Sequence, residues 1–258
     1  MNLRKSGYIN KYVSLCILLF CISFVYSTEP NKIIRTGNHV PKSPLMRTRA
    51  SISPVISFYR INKNHAGTPS QKMSGLISVK EEIRLNEKHT VFFLIGAEYM
   101  VHGLNFASYY FKPDSIHLYT GSFDYTYSLY IHEIDIPIQM KLSFGHENNK
   151  IFTGYFMLGY HFRELITGKL KVKQNGEVIE KKNVDVTFKN PLITPRNNPF
   201  ISLTLGLQKN HPNNTRRCIF AEASFRFGIS PYQITDSFAP SSLYINGNHL
   251  VFSLGMKF

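Results

Sequence analysis

Along Asn248–Phe258 every second residue is large and apolar. Leu250, Phe252, Leu254, Met256 and Phe258 share one side of an extended chain, and His249, Val251, Ser253, Gly255 and Lys257 share the other. A period of two belongs to a pleated strand and not to an amphipathic helix, whose apolar positions recur every three to four residues. The same alternation returns repeatedly upstream, so the class of fold is all-β.

Seven further strands are expected. Residues 51–61 make the first. In 73–85, Ile77, Val79, Ile83 and Leu85 oppose Ser78, Lys80, Glu82 and Arg84, with Glu81 out of place on the apolar side. In 90–105, Val91, Phe93, Ile95, Ala97, Tyr99 and Val101 oppose Gly96, Glu98 and His102. The segment 130–144 alternates most clearly: Ile134, Ile136, Ile138, Met140 and Leu142 oppose Glu133, Asp135, Gln139 and Lys141. Pro137 lies on the polar side and predicts a bulge or a local break, because proline withholds one ladder donor. Residues 151–163, 199–209 and 217–229 repeat the pattern, the last with Glu222 and Arg226 opposite Ile219, Phe225 and Phe227.

The connections alternate in length. Those at 86–89, 145–150 and 211–216 are short; those at 62–72, 106–129, 164–198 and 230–247 are long. Short turns at one end and long loops at the other are the signature of a transmembrane barrel, with the long loops outside the cell. The longest loop holds Lys169–Ile179, where Asn175-Gly176 predicts a hairpin that extends outward. Eight strands are expected, or ten if that hairpin joined the wall, in an antiparallel up-and-down transmembrane β-barrel.

Residues 1–27 read as a cleaved signal peptide: Arg4, Lys5 and Lys11 precede an apolar run from Val13 to Val25, with Ser27 at the cleavage point. The run is short of the ~20 residues of a membrane anchor. Loss of Cys16 and Cys21 with the signal leaves Cys218 alone, which excludes an internal disulfide and a cysteine metal site. Residues 28–50 contain three prolines and five Lys or Arg and read as a flexible basic lead; the barrel domain is 51–258. The formal charge of +14, lowered to +11 by loss of Arg4, Lys5 and Lys11 with the signal, points on an exported chain to outer-membrane lipid and lipopolysaccharide as neighbours, not nucleic acid.

Volume decides which side faces in. An eight-stranded interior is just wide enough for side chains to fill it. The apolar sides carry too many large residues to fit, whereas the other sides carry Gly96, Gly159, Gly206, Gly228 and Gly255 with small polar residues and charges. The bulky side therefore faces lipid. Glu98, Glu133, Asp135, Lys141, Glu222, Arg226 and Lys257 become a lumen charge network, expected to neutralise itself because an unpaired buried charge is costly.

Two resemblances rest on these residues. The alternating row Leu250, Phe252, Leu254, Met256 and Phe258 resembles the carboxy-terminal insertion signal of bacterial outer-membrane barrels, which implies barrel-insertion machinery as a partner. The strand Ile134-Asp135-Ile136-Pro137-Ile138-Gln139-Met140-Lys141, with the glycine-punctuated aromatic strands, resembles the small outer-membrane β-barrels of the Bacteroidota, the PorT-like group. That resemblance covers roughly 50–258 and implies an outer-membrane location, with no catalytic residues to carry over.

The expected role is structural, surface-binding or in an envelope assembly such as secretion, with envelope partners at the long loops and a monomeric barrel. A narrow channel or transporter is the alternative, and a soluble ligand-binding barrel a third. No histidine lies two residues before a strand serine, and His132 and Glu133 point to opposite sides, so no enzyme is expected. No metal or cofactor is expected either.

Overall fold

A computed structural model describes residues 45–61, 69–86, 90–108, 125–144, 152–184, 193–194, 199–211, 214–234 and 243–258. The expected signal peptide and residues 28–44 of the expected lead lie outside the described residues. In chain order the strands are β1 (Met46–Ile61), β2 (Ser70–Gln71), β3 (Ser74–Arg84), β4 (Val91–Ser108), β5 (Tyr125–Ser143) and β6 (Phe152–Gln174). They continue with β7 (Glu177–Val184), β8 (Ile193–Thr194), β9 (Phe200–His211), β10 (Asn214–Gly228), β11 (Tyr232–Ile234) and β12 (Leu243–Lys257).

Eight of these form the wall. Strands β1, β3, β4, β5, β6, β9, β10 and β12 pair antiparallel in that order, and β12 returns to β1. At this seam Arg49 faces Lys257 and Ile61 faces Ile245, in one unbroken register. The chain is therefore a closed all-β barrel. Outside the ring, β7 pairs only with β6, so the predicted hairpin is an extension and not a ninth and tenth stave. Its turn residues Asn175 and Gly176 have φ of 50° and 87°, the left-handed region that a two-residue hairpin turn requires.

Burial inverts the order of a soluble protein. Ile52, Ile77, Leu142, Phe162, Leu205 and Leu254 are exposed on the outside, whereas Glu82, Glu133, Lys141 and Lys257 are buried within. With no water in the hydrocarbon core, only a closed barrel or a helix satisfies its backbone. Exterior and closure together are those of a transmembrane barrel.

Three expectations on the chain's layout need correction. β1 begins at Met46, so 46–50 of the expected flexible lead are strand; Arg47 and Arg49 looked solvated because they are charged, yet both are buried inside. β4 and β5 run on through residues expected as loop, to Ser108 and from Tyr125. β6 extends to Gln174, eleven residues past its expected end at Arg163, because its outer half rests on β5 and β7. Of the two outcomes expected at Pro137 the local break occurs and not the bulge: it pairs with His161 in register, and the β5–β6 shift falls at His132/Glu133. The ladder partners missing around Pro137 are on the β4 side, between Ile95–Ile138 and Glu98–Asp135, and the register there does not slip.

The interior is layered, not uniformly polar. At the outer end Ile61, Leu104, Phe106, Tyr127, Leu129, Ile131, Leu165, Leu170, Val172 and Ile245 form an apolar cluster. Phe106 and Tyr127 stack there with centroids 5.0 Å apart. Val55, Leu76, Met100, Phe200 and Val251 pack lower, and Phe92, Leu94, Tyr155 and Met157 lower still. Charges fill the space between these clusters.

Gly96 marks a close approach between two staves. A Cβ on it would stand 2.2 Å from the Val79 carbonyl oxygen and 2.6 Å from Lys80 Cα, both backbone atoms of β3. Gly96→Ala must push β3 and β4 apart and is expected to destabilise the barrel by roughly 1–3 kcal/mol. Gly75→Ala, whose Cβ meets nothing nearer than 3.9 Å, is the matched control. The check is the temperature at which the folded band converts to the unfolded band on a gel; equal temperatures for the two variants would contradict it.

Candidate functional site

The lumen holds three linked knots of charge, each built by residues that alternate onto the inner side of neighbouring strands. Lowest is Glu82. Its carboxylate accepts from Lys257 Nζ at 2.8 Å, Lys141 Nζ at 3.1 Å and Arg49 Nη1 at 3.2 Å. Gln208 Oε1 accepts from the same two lysines at 3.0 and 3.2 Å. Arg49 also pairs with Glu222, whose carboxylate accepts the Tyr155 hydroxyl at 2.8 Å. The rings of Phe220, Phe92 and Tyr155 lie against these cations, with Arg49 4.0 Å from the Phe220 centroid.

The middle knot surrounds Glu98. Lys80 stands 2.8 Å from one carboxylate oxygen and Arg226 2.7 Å from the other, and Arg226 also reaches Asp135 at 3.2 Å. Lys80 donates to Gln139 at 2.9 Å. In the upper knot Glu133 accepts from Arg163 at 2.9 Å and lies 2.9 Å from His102 Nε2. Tyr59 approaches the other nitrogen of His102, and Arg163 stacks 3.5 Å over Phe200. Ser57 Oγ and His249 Nδ1, 2.8 Å apart, fill the neighbouring space.

All seven residues expected in the lumen lie on the inner side, and the structure divides them among the three knots. Glu222, Lys141 and Lys257 are in the lowest, Glu98, Asp135 and Arg226 in the middle, and Glu133 in the upper. Leu250, Phe252, Leu254 and Met256 on β12, with Phe258 just beyond it, form an outward row, and the Phe258 amide donates to the Thr48 carbonyl at 2.9 Å. Sequence reasoning did not single out Arg49, Lys80 and Glu82 for the network. The signal was available in the alternation Arg47, Arg49, Ser51, Ser53, which continues the inner side of β1 upstream. Glu81, the exception on an apolar side, accepts a hydrogen bond from the facing Thr48 at 2.9 Å, so the pair shares its exposure at the strand end.

Two arrangements suggest chemistry. Ser202 Oγ lies 2.9 Å from His161 Nε2, and His161 Nδ1 lies 3.5 Å from Glu98 Oε2, which is the order of a nucleophile, base and acid. Ser202 and His161 have no exposed surface, and Arg226 already engages the same Glu98 oxygen, so a substrate has no approach in this state. Glu98, Asp135 and His161 also bring one potential metal-ligand atom each within 4.8 Å of one another. Lys80 and Arg226 already supply the positive charge there, which makes the trio an ion-pair knot and not a cation site.

No protein-family model matches the chain, and no curated protein matches it. Solved structures do. The outer membrane protein OprG from Pseudomonas aeruginosa is similar at 9% identity over 83% of this chain and 94% of that one, with a TM-score of 0.46. The outer membrane protease OmpT from Escherichia coli is similar at 8% identity, 83% and 96% coverage and 0.46. The Neisserial surface protein NspA is similar at 10% identity, 83% and 96% coverage and 0.40. A protease among these structures corrects the expectation that the chain is not an enzyme. That exclusion is withdrawn.

Glu82 is the anion on which the lowest knot turns. Glu82→Gln removes the one carboxylate that Arg49, Lys141 and Lys257 share and is expected to cost about 3–5 kcal/mol, as breaking a buried pair by removing one partner does. Adding Lys257→Met should recover part of that loss. Denaturant midpoints of the native chain, the single and the double variant measure both effects. A single variant as stable as the native chain would show that the knot does not hold the wall.

Proposed function

We propose that the chain is a small outer-membrane β-barrel whose wall is a closed scaffold and whose extracellular extension carries a surface-binding role. The observation that carries this reading is the inversion of burial: large apolar side chains outside, ion-paired charges inside, on a ring without a free edge. The strand Ile134–Lys141 supports a place among the small barrels of the Bacteroidota. The row Leu250, Phe252, Leu254, Met256 and Phe258 suits an insertion signal, because it lies on the lipid side of the stave that closes the ring.

Binding is favoured over conduction by what fills the interior. Leu94, Met100, Leu104, Lys141, Phe200 and Lys257 are all essentially without exposed surface and block the axis at several depths. The apolar cluster at the outer end offers no partner to a passing ion. The walls around it are the tallest of the barrel: β4, β5 and β6 have 18, 19 and 23 residues, against the ~9–11 that cross a bilayer. The surplus stands above the membrane as a sheet.

Two measurements test the proposal. In envelope fractions the chain should sediment with the outer membrane and migrate differently on a gel before and after boiling; a soluble chain without that shift would reverse the assignment of the two sides. In planar bilayers the folded protein should give no discrete current steps. Stepwise current would favour a channel.

A further inference from the structure

The outer side of the extracellular sheet carries a segregated cluster of lysines. Beyond a bulge at Ile166, β6 alternates so that Gly168, Leu170 and Val172 are buried while Lys169, Lys171 and Lys173 point away from the barrel. Across the hairpin, Lys181 is exposed and directly faces Lys171. Directly opposed residues have Cβ atoms about 4.5–5.5 Å apart, and like charges at that spacing repel. The acids of the hairpin sit on its other side: Glu177 faces Gln174, and Glu180 faces buried Val172. Among the described residues none of these lysines has a carboxylate partner within ion-pair distance.

Lys72 joins them from the segment before β3. Its amide donates to the Gly103 carbonyl at 3.1 Å, and its stem crosses Gly103, where a Cβ would meet Lys72 Cδ at 3.2 Å. Its ammonium stands 3.6 Å over the Tyr130 ring and bonds Ser128. Ser128 faces Lys171 and Tyr130 faces Lys169, so all five lysines share one surface. Partial burial, then Lys171 and Lys173, hold the Lys72 pKa down at about 8. Among the described residues no carboxylate pairs with the cluster.

Its height chooses the ligand. Along the outer side of β5, Leu142, Met140, Ile138, Ile136 and Ile134 lead up to Tyr130, and the lysines begin where that apolar row ends. Tyrosine at that level marks a membrane–water interface. The surface faces sideways, over the tops of the surrounding lipid, and not into the lumen. We infer that Lys72, Lys169, Lys171, Lys173 and Lys181 form a binding face for the phosphate groups of lipopolysaccharide in the outer leaflet beside the barrel. This deepens the surface-binding reading above and rests on the outer-membrane assignment.

The test uses the full chain, purified in detergent and first checked for its heat-dependent shift. Affinity is measured for lipopolysaccharide, for the same lipopolysaccharide after dephosphorylation, and for sucrose octasulfate as a soluble polyanion. Each lysine near a charged surface accounts for about a fivefold effect. The variant K169Q/K171Q/K173Q/K181Q should therefore lose at least about tenfold for lipopolysaccharide, and the corresponding four-arginine variant should keep it. Dephosphorylated lipopolysaccharide should bind native chain and glutamine variant alike. Lys181→Glu serves as a second variant, since it forms an opposite-charge pair with Lys171 and should weaken binding while the barrel keeps its shift. Unchanged affinity in these variants, or equal affinity for the dephosphorylated form, overturns the proposal. So does tighter binding of sucrose octasulfate, which would assign the face to a soluble polyanion. A native chain without a heat-dependent shift overturns the barrel reading instead.

Discussion

Closure of the ring between β1 and β12 is the constraint on which everything else depends. An open sheet with this exterior would present unpaired N–H and C=O groups beside a lipid-facing apolar surface, where each unsatisfied group costs several kcal/mol. The seam removes that edge with one register from Arg49–Lys257 to Ile61–Ile245. The register also fixes polarity, because a slip of one residue exchanges the two sides of a strand. At this seam a slip would move Lys257 into lipid and Met256 into the Glu82 knot. Closure and the sorting of side chains are thus one specification.

The interior then has a fixed volume to fill. Tyr155 illustrates the fit: a Cβ on Gly206 would stand 2.2 Å from its ring, so the absent side chain on β9 is the space the ring occupies. Held there, the Tyr155 hydroxyl bridges Arg49 and Glu222, at 3.0 and 2.8 Å. Apolar clusters above and below keep water from these charges, which strengthens each pair and raises the cost of breaking it. The layers are interdependent: the apolar clusters separate the knots, and the knots join staves that are not neighbours in the ring. Glu82 on β3, for example, binds Lys141 on β5 and Lys257 on β12.

The staves were legible in the sequence because a half-lipid, half-lumen strand must alternate, and Ile134–Leu142 does so without interruption. The seven expected lumen charges followed from the same parity. What escaped was anything set by neighbours across the sheet. Phe106, Tyr127 and Leu129 sit in segments that read as loop, since no local pattern announces that β4 and β5 continue above the membrane against β6. Arg49 read as solvated because its partners, Glu82 and Glu222, are far away in the chain. The contact between Ser202 and His161 needs the β6–β9 register, in which Gly159 faces Ser202 and leaves the inner space open. Pro137 foretold a break in the ladder, but which neighbour loses the bond depends on the pairing across the sheet.

Charge is handled in opposite ways inside and outside the wall, and the contrast separates scaffold from surface. Inside, cations of the three knots are matched by carboxylates, amides and ring faces, because a buried charge tolerates nothing less. Above the membrane, Lys171 and Lys181 stand opposite one another although Glu177 and Glu180 lie on the same hairpin. Exchanging Lys181 with a neighbouring acid would relieve the repulsion at no cost to the turn, whose geometry depends on Asn175 and Gly176 alone. Folding therefore gains nothing from this arrangement, and the stability of the sheet is slightly reduced by it. A surface that keeps like charges together against its own stability, with no carboxylate paired to them among the described residues, is the ground on which a phosphate counter-charge in the surrounding outer leaflet is proposed.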